Sequence, residues 1–253
     1  MLTIDLNCDM GEGMPHDPAL MPFISSANIA CGGHAGNDNT MRTTVELALK
    51  NGVAIGAHPS YNDPENFGRR DLIGISLRAD DIPSIIFEQI DRLRNICIEF
   101  GTTLHHVKPH GALYNRAAKD PELSNLICKT IYQIDPSLFL YGLSDSILKK
   151  EAASFPIKFI NEVFADRTYQ ESGLLTPRTD AHALIESDEK AMQQVIQIVK
   201  TGSVTALNGK KIFLSADTIC VHGDGRKALE FARLINTTLK NEKIQIAAPS
   251  FVK

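Results

Sequence analysis

The stretch VKPHGALYN, residues 107–115, closes an apolar run with Lys108, Pro109, His110 and Gly111. Residues two apart on a strand share a face, so an ammonium and an imidazole leave this segment on the same side. Lys108 could hold an anion or polarise a carbonyl, and His110 could move protons near neutral pH. Reactive residues also gather in NCDMGEG (7–13), CGGHAGND (31–38), GAHPSYNDPENFGRRD (56–71) and HGD (222–224), and less sharply in NEVFADRTY (161–169). Asp9, His34 and His58 combine a carboxylate with two imidazoles, a donor set suited to a divalent metal. No two of them share a helix, and the same residues would equally make a hydrogen-bonded network without an ion. His222 joins His110 as an acid–base candidate, while Arg69, Arg70 and Arg167 could clamp a carboxylate or phosphate. Each residue alone has a plainer reading. Lys108 could pair with Asp9 or Asp224, the histidines could be core groups bonded to backbone, and the arginines could be surface ion pairs. Asp38 is placed to cap a helix starting near Thr40.

Such residues need elements to carry them. Strand-like runs fall at 2–7, 25–31, 53–58, 104–109, 138–143, 157–163 and 219–222. Between them lie apolar stripes at helical spacing: Ile82, Ile85, Ile86, Ile90, Leu93, Ile96, Cys97 and Phe100; Leu123 through Ile134; and Ala228 through Leu239. A hairpin turning at Asn208–Gly209 stands outside this alternation. With no seam or linker, repeated strand–helix units predict one α/β domain over residues 1–253. Strand parity sharpens that. Leu2, Ile4, Leu6 and Cys8 share one face of the first strand, against Thr3, Asp5, Asn7 and Asp9. The second strand sets Ala27, Ile29 and Cys31 against Ser26, Asn28 and Ala30. An open doubly wound sheet is apolar on both faces. One small or polar face, ending in reactive groups, instead predicts a TIM-like (β/α) barrel of seven or eight strands with its site at the carboxyl ends.

The bulk composition excludes several classes. A net charge of −4 argues against a nucleic-acid surface. Five cysteines without a CxxC pair read as reduced thiols, not a disulfide frame. There is no basic, apolar leader and no membrane-length apolar run, so a soluble cytoplasmic protein is expected. Neither a GxxxxGK[ST] phosphate loop nor a GxSxG elbow occurs.

Taken together, DLNCDMGEG, SANIACGGHAG, GVAIGAHPSYND, FGRRD, VKPHGALYN, NEVFADRTY and DTICVHGD resemble the LamB/YcsF (lactam utilization) family, whose members are described as components of 5-oxoprolinase. The motifs run from residue 5 to residue 224. The resemblance implies a barrel of the glycoside hydrolase/deacetylase kind. It further implies opening of 5-oxoproline to L-glutamate with ATP as co-substrate, together with partner subunits B and C. On that reading Asp9, His58, Lys108, His110 and His222 are catalytic, with Lys108 near the developing oxyanion. Asn7, Glu12, Asn28, His34, Arg69, Arg70, Asp166, Arg167 and Asp224 then contact substrate. Three positions depart from the family pattern: Gly33 replaces a bulky aromatic, Asn37 an acid, and Ser60 a glycine. Alternatives from other classes are a stand-alone metal-dependent deacetylase or amidohydrolase, and a non-catalytic component that shapes a partner's site. Asp9→Asn, Lys108→Ala and His110→Ala are each expected to remove activity with little loss of stability.

Overall fold

A computed structural model describes residues 2–221 and 228–250. In chain order its elements are β1 (Thr3–Met10), α1 (Asp17–Leu20), β2 (Ser26–Ala30), α2 (Asp38–Asn51), β3 (Ala54–His58), α3 (Ile82–Glu99), β4 (His106–Val107), α4 (Gly111–Ala117) and α5 (Pro121–Ile134). They continue with β5 (Phe139–Leu143), α6 (Ile147–Ala152), β6 (Lys158–Phe164), α7 (Asp188–Thr201), β7 (Ser203–Thr205), β8 (Lys211–Phe213), β9 (Thr218–Val221), α8 (Ala228–Asn241) and β10 (Gln245–Ile246). Strands β1 to β6 lie side by side in sequence order, and β9 fits between β6 and β1. The β9–β1 pairing sets Asp5 opposite Thr218 and closes a barrel of seven parallel strands. β10 pairs with the foot of β1, and β7–β8 form the antiparallel hairpin outside the barrel.

The helices follow their stripes. α3 buries Ile82, Ile86, Ile90, Leu93, Ile96 and Cys97 against the barrel. Phe100 lies past its end and is exposed. At α2 the expected cap is displaced by one residue. Asn37 is extended, and its side chain accepts from Thr40 N at 3.0 Å, whereas Asp38 is already helical. Only a residue still in the extended region can fold its side chain back over the first turn.

Parity sorts the barrel wall as expected. Leu6, Cys8, Met10, Ala27 and Ile29 are buried in the shell under the helices. Asp5, Asn7, Ser26 and Asn28 bond one another across the lumen. β4 is assigned only two residues, shorter than the predicted 104–109. Its backbone nevertheless tracks β3, because Lys108 N donates to Ala57 O at 2.9 Å and His110 N to Pro59 O at 2.8 Å. Pro109 has no N–H to extend the ladder on its other side. Gly56 leaves room for a ring, since a Cβ there would lie 2.1 Å from His106 Nε2. Gly111 lets the chain turn at the mouth with φ of +57°, and a Cβ would come within 2.4 Å of Gly68 O. All five cysteines are buried free thiols.

Candidate active site

β1, β4 and β6 bring three charges to the floor of one cavity. Lys108 Nζ lies 2.9 Å from Asp9 Oδ1 and 2.8 Å from Glu162 Oε1, and it donates to Asn7 Oδ1 at 3.1 Å. The Glu162 contact is an ion pair whose angle is poor for a hydrogen bond. Both Lys108 and Glu162 are buried. Burial opposes the ammonium, yet Asp9, Cys220 and Glu162 outweigh it and hold the Lys108 pKa well above the usual amine value. Burial would likewise raise Asp9, but His58, when its ring carries a second proton, and Lys108 throughout keep its carboxyl well below the ordinary range. Asn28 fixes the same carboxylate, donating from one amide nitrogen to Asp9 Oδ1 at 2.9 Å and Asn7 Oδ1 at 2.8 Å. Lys108 is thus a fully compensated charge. Its truncation would strand the buried Glu162 and the half-buried Asp9, so Lys108→Ala is expected to cost more stability than the sequence suggests.

Beside this floor the ends of β1, β2, β3 and β4 assemble Glu12, His34, His58 and His110. One potential ligand atom from each lies within 4.8 Å of all the others. His34 and His110 stack with ring centroids 3.6 Å apart, and His58 meets both edge-on. Burial, with the neighbouring His58, lowers His34 to about 3 and pushes His110 well below the usual imidazole value. The carboxylate that joins the imidazoles is therefore Glu12, with Nε2 of His34 at 2.8 Å. Asp9 approaches the group only through Oδ2, 3.3 Å from His58 Nε2, because Oδ1 is committed to Lys108 and Asn28. Sequence reasoning placed Asp9 in the ligand set because it could not orient the turn that carries Glu12.

Asp9, Glu12, His58, Lys108 and His110 line a cavity of about 570 Å³. Arg69 and Arg167 reach its wall; Arg70 does not, pairing instead with Asp63 at 3.4 Å. Arg167 is buried and donates to Thr176 O at 2.6 Å and Ala183 O at 3.2 Å. Burial and then the charge of Arg178 lower its pKa. Asn7 and Asn28 lie beneath the floor, and Asp166 sits half-buried beside Arg167. His222 and Asp224 lie outside the described residues.

Several functional neighbours went unread. Glu162 shares the inward face of β6 with Ile160 and Phe164, and an acid inside the apolar run IKFINEV was the available signal. Tyr114, whose hydroxyl burial and the Glu162 charge push well up, gave no such sign. Two departures from the family pattern meet in space. A Cβ on Gly33 would lie 2.6 Å from Ser60 Oγ and 2.6 Å from Gln89 Oε1. Ser60 occupies part of the volume that a side chain at 33 would need, and its hydroxyl takes up His34 Nδ1 at 3.1 Å.

This arrangement matches known proteins over nearly the whole chain. The lactam utilization protein from Thermus thermophilus superposes with a TM-score of 0.91 at 35% identity, covering 98% of this chain and 100% of that one. The A component of 5-oxoprolinase from Bacillus cereus (strain Q1) is 48% identical over 98% of this chain and 100% of its own length. Its counterpart in Bacillus anthracis (strain CDC 684 / NRRL 3495) is also 48% identical, with the same coverage. The LamB/YcsF family model matches residues 4–253, and the chain belongs to that family.

Proposed function

We propose that this chain is the ring-opening component of an ATP-dependent 5-oxoprolinase, converting 5-oxoproline to L-glutamate as ATP becomes ADP and phosphate. The observation that carries the reading is the ionised Asp9, held by a compensated Lys108 on the floor of a cavity, in a chain whose curated relatives are named as the A component of 5-oxoprolinase. An unactivated lactam resists attack by water. Transfer of the ATP γ-phosphoryl to its carbonyl oxygen makes the carbon electrophilic and supplies a good leaving group. A carboxylate stabilised as strongly as Asp9 is a weak base, which suits an activated carbonyl better than a plain amide. Asp9 takes a proton from water as the C–O bond forms and returns it to the ring nitrogen as the C–N bond breaks; the γ-glutamyl phosphate so formed is cleaved by a second water, which releases phosphate and leaves L-glutamate. Lys108 supports the negative charge that gathers on oxygen. The N–H of His110 is already donated to Phe67 O, at 3.0 Å, so His110 is not the proton donor in this arrangement. Arg69 and Arg167, on the cavity wall, are the cations for the substrate carboxylate.

ATP coupling without a phosphate loop favours a shared machine, with subunits B and C delivering an activated lactam or sealing the site from water. Purified chain would be assayed for glutamate and ADP, alone and with subunits B and C. Little turnover alone and full turnover in the assembly is the expected result. The Glu12–His34–His58–His110 cluster favours a second reading, a stand-alone metal-dependent amidohydrolase. Amide hydrolysis by the isolated chain without ATP would establish it and remove the first.

A further inference from the structure

The hydrogen bonds of the three imidazoles leave an imbalance. His58 Nδ1 lies 2.7 Å from the carbonyl oxygen of Lys108. A carbonyl only accepts, so this nitrogen carries the proton and Nε2 of a neutral ring is bare. His110 Nε2 lies 3.0 Å from Phe67 O, which by the same rule leaves its Nδ1 bare. These two bare nitrogens face each other at 2.9 Å. Ser60 donates its hydroxyl proton to Tyr61 O at 2.8 Å, so His34 Nδ1 must donate to Ser60 Oγ. His34 Nε2 then presents a lone pair to the Glu12 carboxylate at 2.8 Å. Three lone pairs and one carboxylate therefore converge, acceptor against acceptor.

We propose that Glu12, His34, His58 and His110 form a binding site for a divalent transition-metal ion of the zinc class, with Lys108 O, Phe67 O and Ser60 Oγ holding the imidazoles in the ligating tautomer. Anchoring the second ring nitrogen on an oxygen is how proteins orient metal-binding histidines. Mixed imidazole and carboxylate donors suit zinc and its neighbours better than magnesium or calcium. The rival way to fill the cluster is with protons, one shared between His58 and His110 and one on His34 beside Glu12. That filling puts two extra protons among three buried, mutually packed rings. A bound ion at the cavity wall would act as a Lewis acid toward a carbonyl or phosphoryl oxygen. The inference rests on the proposed site but not on its reaction.

The full chain, freed of metal with a chelator, would be titrated with Zn²⁺ in buffers of different ionisation enthalpy, and with Co²⁺ followed by its visible spectrum. One ion per chain and a Co²⁺ spectrum of nitrogen and oxygen ligation are expected. Glu12→Gln and His110→Gln should each weaken Zn²⁺ at least about tenfold, and Ser60→Ala should weaken it less, through His34. Proton release on Zn²⁺ binding separates the two fillings. Little or none near pH 7 fits bare nitrogens, whereas release of one to two protons per ion would show a proton-filled cluster and overturn the tautomer assignment. Melting curves of each variant guard against misfolding, and Asn208→Ala, far from the site, should bind Zn²⁺ like the parent. Absence of stoichiometric binding, or affinity unmoved in folded Glu12 and His110 variants, would overturn the site. Zn²⁺ binding by the chain, with no lactam turnover even in the assembly with subunits B and C, would leave the site standing and refute the ring-opening reading, and the reverse outcome would do the opposite.

Discussion

The lower and upper halves of the barrel lumen are both polar, and they treat polarity in opposite ways. Below, the Asp5 carboxylate accepts from Ser25 at 2.6 Å, Ser26 at 2.8 Å, Tyr141 at 2.9 Å and Thr218 at 2.6 Å. Burial raises its pKa although those four hydroxyls resist, and Tyr141 ties it to a small apolar core with Phe139 and Ile160. Above, Asp9 and Glu162 are compensated by one ammonium, and the bare nitrogens of His58 and His110 face each other. A polar interior is therefore not itself a sign of function. The distinguishing marks are access to the cavity and, among the described residues, acceptors that face acceptors.

Substitutions can break or sharpen that contrast. Lys108→Ala should abolish turnover and cost roughly 3–5 kcal/mol, measured by denaturant unfolding, because it strands the buried Glu162 beside the half-buried Asp9. Restored stability without activity in Lys108→Met combined with Glu162→Gln would confirm that charge compensation, not packing, is at stake. Asp9→Asn should lower kcat about 10²–10⁴-fold while the melting temperature moves much less. Equal damage to both properties would make the upper lumen as structural as the lower. Acid should weaken the lower half through His106, whose burial holds its pKa well below 6.5. The folded state keeps this ring neutral and the unfolded chain protonates it near 6.5. The stability it contributes is thus complete above that pH and falls by up to about 1.4 kcal/mol per pH unit below it. His106→Gln should flatten that slope, and an unchanged slope would place the sensitivity elsewhere. Tyr141→Phe, which removes one of four donors to Asp5, should cost about 1 kcal/mol and leave kcat unchanged. A loss of turnover there would erase the division between the halves.

The lumen was legible because alternation along a strand needs no tertiary knowledge. Asp5, Asn7 and Asp9 fall on one face by counting, and the barrel follows from one polar face. The count of strands did not follow, since β9 enters between β6 and β1 by topology alone. Loop residues were the least readable. Arg69 and Arg70 are adjacent in sequence, yet one lines the cavity and the other turns to Asp63. Glu12 likewise depends on a turn whose course no periodicity predicts, and Ser60 matters only because it meets Gly33 and His34 in space.

The pairing of β1 with β9 has a kinetic consequence. The Asp5–Thr218 bond joins residues 213 apart in the chain. On a ribosome, β1 can pair with β2 early, but its other edge stays open until most of the chain has emerged. Closure of so long a loop is entropically slow, and an open strand edge invites pairing with other chains. Refolding should therefore show a late phase in which the Asp5 network forms, and aggregation during synthesis should concentrate on truncated chains that lack residues 218–221.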